Sequence, residues 1–243
     1  MPTRLYAVIF DSADHVALAR WWSEALGWPV TYEAADEVVI EPSPENDTVP
    51  ALGFVPVPEP KSGKNRVHLD LATDSAEHQA VTVRRLVDIG ATRTDIGQED
   101  VPWVVLADPE GNELCVLEPR DRYRGKGPLA AIVLDVGDPA RAARFWSIAT
   151  GWKIGYEHKG VASLHNPSGE LPDLDLVAVN EPHRVKNRVH LDVAPLRDDD
   201  LTREVRRLVV WGARRVEIGQ SSEVTWQVLA DPDGNEFCVL SPR

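Results

Sequence analysis

The sequence predicts an α+β protein built from four βαβββ modules that form two tandem domains with cupped, mixed or antiparallel sheets. Three observations predict it. The heptapeptide Lys-Asn-Arg-Val-His-Leu-Asp stands at Lys64–Asp70 and again, letter for letter, at Lys186–Asp192. The match spreads outward over nearly the whole chain: Pro50–Gln98 falls on Pro172–Gln220, and Leu106–Leu117 falls on Leu229–Leu240. Inside each copy the order strand, helix, three strands occurs twice. Self-similarity on this scale marks a duplicated structural unit, so residues 1–120 and 128–243 are expected as two domains joined by a linker, 121–127.

Each element has a local reason. Ala7–Asp14 is a short apolar run ending in acids, the pattern of a strand. Asp14 is placed to cap a helix over His15–Leu26, which Gly27 stops. In the second copy Asp138 caps and Pro139 suits the first helical position. Three strand-like pieces follow, at Pro29–Glu33, Glu37–Pro42 and Ala51–Val57. The order then restarts with a strand at Arg66–Ala72 and a helix over Ser75–Ile89 with Val83, Leu86 and Val87 on one face, which ends at Gly90. Strands at Ala91–Ile96, Pro102–Ala107 and Asn112–Leu117 complete the copy, the last two joined by the tight turn of Ala107–Asn112.

Composition narrows the function. With 39 acidic against 26 basic residues the formal charge is −13, and no long basic run interrupts it. That field opposes a nucleic-acid backbone or an anionic membrane. No apolar stretch approaches the length of a bilayer span, and the apolar start is broken by Asp11, which reads as a strand rather than a leader. A cytoplasmic protein is expected. Cys115 and Cys238 fall at equivalent places in the duplication, one inherited position rather than a disulfide pair.

The chain resembles the vicinal-oxygen-chelate superfamily of glyoxalases, bleomycin-resistance proteins and extradiol dioxygenases. The resemblance rests on the paired βαβββ order, on Asp14 with Trp21-Trp22 and Asp138 with Phe145-Trp146, each followed by Gly-Trp, and on the Asp-Pro-(Glu/Asp)-Gly-Asn turn before the last strand. The repeated heptapeptide together with Gly-Asn-Glu-x-Cys-Val-Leu is similar to the glyoxalase-like domain group. It implies a concave sheet that holds a small organic ligand, in a monomer of two domains or a homodimer, and often a divalent metal.

The metal ligands that the resemblance implies are mostly missing. The first-strand histidine position is Ala7 in one copy and Ala131 in the other. The eighth-strand glutamate position is Cys115 and Cys238. The fourth strand offers nothing in the first copy, and Asp173 and Asp175 of the second are not repeated. Only the fifth-strand histidine remains, as His68 and His190. A tight divalent site takes three or more protein ligands, so no metal ligands and no cofactor are assigned.

A shifted site stays open, because residues two apart on a strand share a face. Asp11, His68, Asp70 and Glu113 would then converge, as would Asp135, His190, Asp192 and Glu236. Such a set can hold a divalent ion or, without one, move protons as a lyase, isomerase or cyclase would. The alternative reading makes Asp11 and Asp70 strand-end caps or partners of Arg66. Trp103, Trp226, Tyr32 and Tyr156 are candidates for aromatic walls around a flat ligand. Arg66 and Arg188 are candidates for its anionic group, or for pairing with the Gly-Asn-Glu glutamates instead.

Overall fold

The computed structural model describes residues 3–43, 48–98, 100–220 and 224–243. The first module runs β1 (Thr3–Ser12), α1 (His15–Leu26), β2 (Val30–Glu33), β3 (Val38–Ile40) and β4 (Ala51–Pro56). The second runs β5 (Val67–Leu71), α2 (Ala76–Asp88), β6 (Thr92–Arg93), β7 (Val104–Ala107) and β8 (Glu113–Val116). The third is β9 (Leu129–Val136), α3 (Pro139–Thr150), β10 (Lys153–His158), β11 (Val161–His165) and β12 (Asp173–Ala178). The fourth is β13 (Val189–Pro195), α4 (Leu201–Val210), β14 (Arg214–Arg215), β15 (Gln227–Ala230) and β16 (Glu236–Val239). The predicted α+β order holds throughout.

Helix ends follow the local chemistry. Asp14 accepts from Ala17 N at 3.0 Å and Asp138 from Arg141 N at 3.1 Å, satisfying amides that the first turn cannot. Gly27 and Gly151 close these helices at φ +69° and +76°, a region that a Cβ would make costly. Trp22 and Trp146 are fully buried, and each indole N–H donates to the aspartate of the Asp-Pro turn, Asp108 at 3.1 Å and Asp231 at 3.2 Å. A buried indole keeps its hydrogen bond this way.

The two eight-stranded sheets each take one module from each repeat. Their orders are β14-β15-β16-β13-β1-β4-β3-β2 and β10-β11-β12-β9-β5-β8-β7-β6. We call them sheet A and sheet B. In sheet A, β1 runs antiparallel to β13, with Val8 opposite Leu191 and Ile9 opposite His190. In sheet B, β5 runs antiparallel to β9, with His68 opposite Val133. Helix meets helix within each repeat: Arg85 on α2 donates to the carbonyls of Glu24 and Ala25 at the end of α1, and Arg207 on α4 to that of Ile148 on α3, while α3 and α4 also reach β1 of the other repeat through Thr3 Oγ1. Helix contacts hold each repeat together, while the sheets lace the repeats to one another. One apolar core runs through both, from Phe10, Trp22 and Phe54 to Phe145, Trp146 and Phe237.

Candidate functional site

The concave face of sheet A encloses a cavity of about 1360 Å³. Alternation along the strands decides what faces it. β1 contributes Ala7, Ile9 and Asp11, and β4, parallel to it, sets Ala51, Gly53 and Val55 directly beside these. Val39, Ile218 and Leu240 add apolar wall, and Trp226 and Tyr32 stand at the half-open rim. Sheet B encloses a smaller cavity of about 710 Å³, lined by His68, Asp70, Cys115, Trp103, Val133 and Asp135 among others.

The floor of the larger cavity is His190, Asp192 and Cys238. His190 and Asp192 are two apart on β13, and Cys238 lies opposite Asp192 on the parallel β16. Burial pushes the Asp192 carboxyl up to about 8, with Glu37 and Asp11 adding to the rise, and only the bond to the Cys238 thiol and distant Arg243 resist it. Burial pushes the His190 imidazole down to about 4 against the pull of Asp11. Both groups are therefore uncharged at neutral pH. Burial and Asp192 raise the Cys238 thiol, so it too is neutral. Asp192 Oδ1 accepts no hydrogen bond among the described residues, although it is shielded from solvent. At the rim, burial likewise raises Glu37, partly offset by Arg243.

The repeats supply these groups crosswise, which corrects the expected convergence of Asp11 with His68 and of Asp135 with His190. Asp11 lies in the cavity of His190 and Asp192, paired with Lys186. Asp135 lies in the cavity of His68 and Asp70, with Lys64 Nζ 2.6 Å from Oδ2. The cause is the ladder: β1 pairs with β13 and β5 with β9.

Glu113 and Glu236 do not reach either floor. Glu113 accepts from Lys61 Nζ at 2.7 Å and Asn65 N at 3.1 Å, and Glu236 from Asn187 N at 3.0 Å with His183 Nε2 also 3.0 Å away. They brace the loops that lead into β5 and β13. Arg66 pairs with neither glutamate nor Asp11 or Asp70. It donates to Asn235 Oδ1 at 2.7 Å and to the carbonyls of Glu181 and Asp135. Arg188 donates to the Glu59 carbonyl at 2.7 Å and to Glu110 Oε2 at 2.8 Å. Both arginines border the cavities, yet their donors are mostly committed to cross-repeat contacts. Trp103 lines the smaller cavity with its indole N–H bonded to Gln98. Tyr32 lines the larger one, whereas Tyr156 is half exposed on β10 and lies outside the smaller. Residue-by-residue reading had no means of matching Lys186 to Asp11 and Lys64 to Asp135. The signal was in the repeat itself, once the partner strand is known.

The glyoxalase-like domain family model matches residues 7–117 and again 131–240. The chain belongs to this family. No curated protein sequence matches it. Among solved structures, glyoxalase I from Zea mays superposes with a TM-score of 0.72 at 16% identity, covering 98% of this chain and 92% of that one. A putative dioxygenase from Bacillus subtilis superposes with a TM-score of 0.66 at 11% identity, covering 99% and 85%. At such identities the likeness establishes a shared fold.

The glyoxalase-like fold raises the question of a resident metal, and the donors here do not fit one. His68, Asp70 and Cys115 bring one ligand atom each within 4.8 Å of one another, as do His190, Asp192 and Cys238. A thiol binds only as thiolate, and burial with the adjacent aspartate raises both thiols in the ion-free protein, so a cation would have to displace both protons to gain these donors. Across the ladder, Ala7 faces Asp192 and Ala131 faces Asp70, so a methyl stands where a fourth donor would sit.

Proposed function

We propose that this glyoxalase-like protein binds a small organic molecule in the cavity of sheet A, without a resident metal. The supporting observation is an uncharged polar floor inside an apolar bowl. Ala7, Ile9, Val39 and Ala51 give the walls, and the floor offers Asp192 Oδ1, buried without a hydrogen-bond partner among the described residues, with His190 Nε2 3.5 Å from it. Pockets that take organic ligands have this make-up, a mostly apolar lining with a few converging polar atoms. At the floor itself, uncharged groups favour an uncharged polar group on the ligand over a carboxylate or phosphate.

The test is a thermal-shift and tryptophan-fluorescence screen with neutral and charged aromatic compounds, repeated on Ala51→Phe. Saturable binding that Ala51→Phe abolishes supports the reading. Binding untouched by that substitution places the ligand elsewhere, and a stoichiometric divalent ion in protein purified without a histidine tag defeats the metal-free part.

A second reading, acid–base catalysis at the same floor, is favoured by the opposite displacement of two neighbouring groups. A carboxyl kept protonated at neutral pH can donate to a developing oxyanion while a neutral imidazole accepts a proton. Asp192 would be the donor and His190 the base of a lyase or isomerase. Exchange of a ligand C–H with deuterium, lost in His190→Ala while binding persists, is its signature.

A further inference from the structure

The two bowls differ in character at three adjoining matched positions among others, and the linker between the repeats lies beside them. In sheet A, Ala51 and Gly53 stand beside Ala7 and Ile9, with Val39 beyond on β3. The matching places in sheet B hold Asp173, Asp175 and Ser163. Small or apolar side chains in one bowl are thus acids and a hydroxyl in the other. Bare acids on a half-buried sheet face are costly unless a cation meets them.

The cation is Arg122, from the linker. Its guanidinium pairs with Asp173, lies 3.1 Å from Ser163 Oγ, and comes within 2.7 Å of His165 Nδ1. The same Nδ1 is 2.8 Å from Asp173 Oδ1, and Ser163 in turn bonds Asp175. Asp173 is almost wholly buried. The next residue, Tyr123, is buried among Ala72, Cys115, Leu117 and Ala130, with the Arg122 guanidinium 5.5 Å from its ring centroid. Burial and the nearby Asp175 push its phenol up to about 12. Backbone bonds fix the segment: Tyr123 N to Arg120 O, Lys126 N to Tyr123 O, and Gly125 N to Asp74 Oδ1.

We propose that sheet B carries a guanidinium site, made by Ser163, His165, Asp173 and Asp175, whose resident occupant is Arg122 of the chain's own linker. The linker acts as a built-in ligand, with Tyr123 as its apolar anchor, and it closes that half of the bowl to outside molecules. The two bowls are therefore unequal, sheet B being partly self-filled and sheet A open. The inference stands whether or not the sheet A cavity takes a ligand.

Methylguanidinium is the probe. Arg122→Ala should lower the melting temperature by roughly 5 °C or more. Low-millimolar methylguanidinium should then raise it saturably, while equal methylammonium or sodium chloride does not, and wild type should not respond. Adding Asp173→Asn to Arg122→Ala should remove the rescue. An Arg122→Ala protein as stable as wild type, or a rescue that survives Asp173→Asn, overturns the proposal. If Arg122→Ala fails to fold, hydrogen exchange on wild type decides. Protected amides at Tyr123, Gly125 and Lys126 support the docked linker, and exchange at random-coil rates overturns it.

Discussion

His190 Nε2 lies 3.5 Å from Asp192 Oδ1, and the pair shares the sheet A floor with neither member charged at neutral pH. The opposite displacements give stability an unusual pH course. Asp192, raised from 3.8 to about 8, binds its proton more tightly when folded, so its contribution falls as pH rises from about 4 to 8. His190, lowered from 6.5 to about 4, does the reverse: its contribution grows between pH 4 and 6.5 and is complete above. Below pH 6.5 the two slopes cancel. Between 6.5 and 8 Asp192 acts alone and removes about 2 kcal/mol at ~1.4 kcal/mol per pH unit. Urea unfolding of wild type and Asp192→Asn at pH 4.5, 6.5 and 8 checks this. Wild type should stay level from pH 4.5 to 6.5 and lose stability by pH 8. Asp192→Asn, left with the His190 titration alone, should gain stability up to 6.5 and then stay level, so the difference turns steadily toward the variant across the whole range.

Glu110 is a second test of cross-repeat geometry. Its carboxylate accepts from Ser12 Oγ at 2.7 Å, Asp14 N at 2.8 Å and Ala13 N at 3.1 Å, and from Arg188 of the other repeat at 2.8 Å. Burial opposes ionisation, but these donors together hold its carboxyl below the ordinary range. A depressed carboxyl stabilises above its unfolded pKa and loses that contribution as pH falls. Glu110→Gln should cost about 1–3 kcal/mol at pH 7 in chemical denaturation, and the cost should shrink as pH falls below the ordinary carboxylate range.

Much of this was legible in the letters. Asp14, Asp138, Gly27 and Gly151 announced helix ends because caps and left-handed glycines act within a few residues. Strand alternation correctly put His68 with Asp70 on one face. The partner of each first strand was not legible, for a physical reason: β5 and β13 both read Val-His-Leu-Asp, so pairing either with β1 buries the same side chains. Asp11 was therefore matched to the wrong histidine. Asp173 and Asp175 were visible as an unrepeated difference, but their meaning depends on Arg122, which the sequence alone presents as a polar linker residue.

The thiols give a simple check on the floor chemistry. Cys115 and Cys238 are free and buried, and each faces an aspartate that, with burial, raises its pKa. Only thiolate reacts with disulfide reagents at a useful rate. Native protein at pH 8 should leave both unlabelled by an aromatic disulfide over hours, and denatured protein should release two equivalents. Rapid labelling of either cysteine in native protein would show a reactive, open floor.

The exchange of strands between repeats predicts what a cut linker does. Each sheet depends on an antiparallel ladder between repeats, Thr3–Phe10 with Val189–Pro195 in one and Val67–Leu71 with Leu129–Leu134 in the other. Severing the chain after Lys126, beyond the anchored Tyr123, removes no strand and breaks no ladder. The two fragments should co-elute on gel filtration and separate only in denaturant. Residues 1–120 made alone would hold β1 and β5 without their partners, two long buried strand edges that water cannot satisfy along the apolar face. Because β5 carries the same Val-His-Leu-Asp that β13 presents to β1, two such fragments can complete each other's sheets. The expected product is a homodimer, measured by light scattering. A stable monomer would mean that β1 and β5 pair within one repeat, contrary to the ladders seen here.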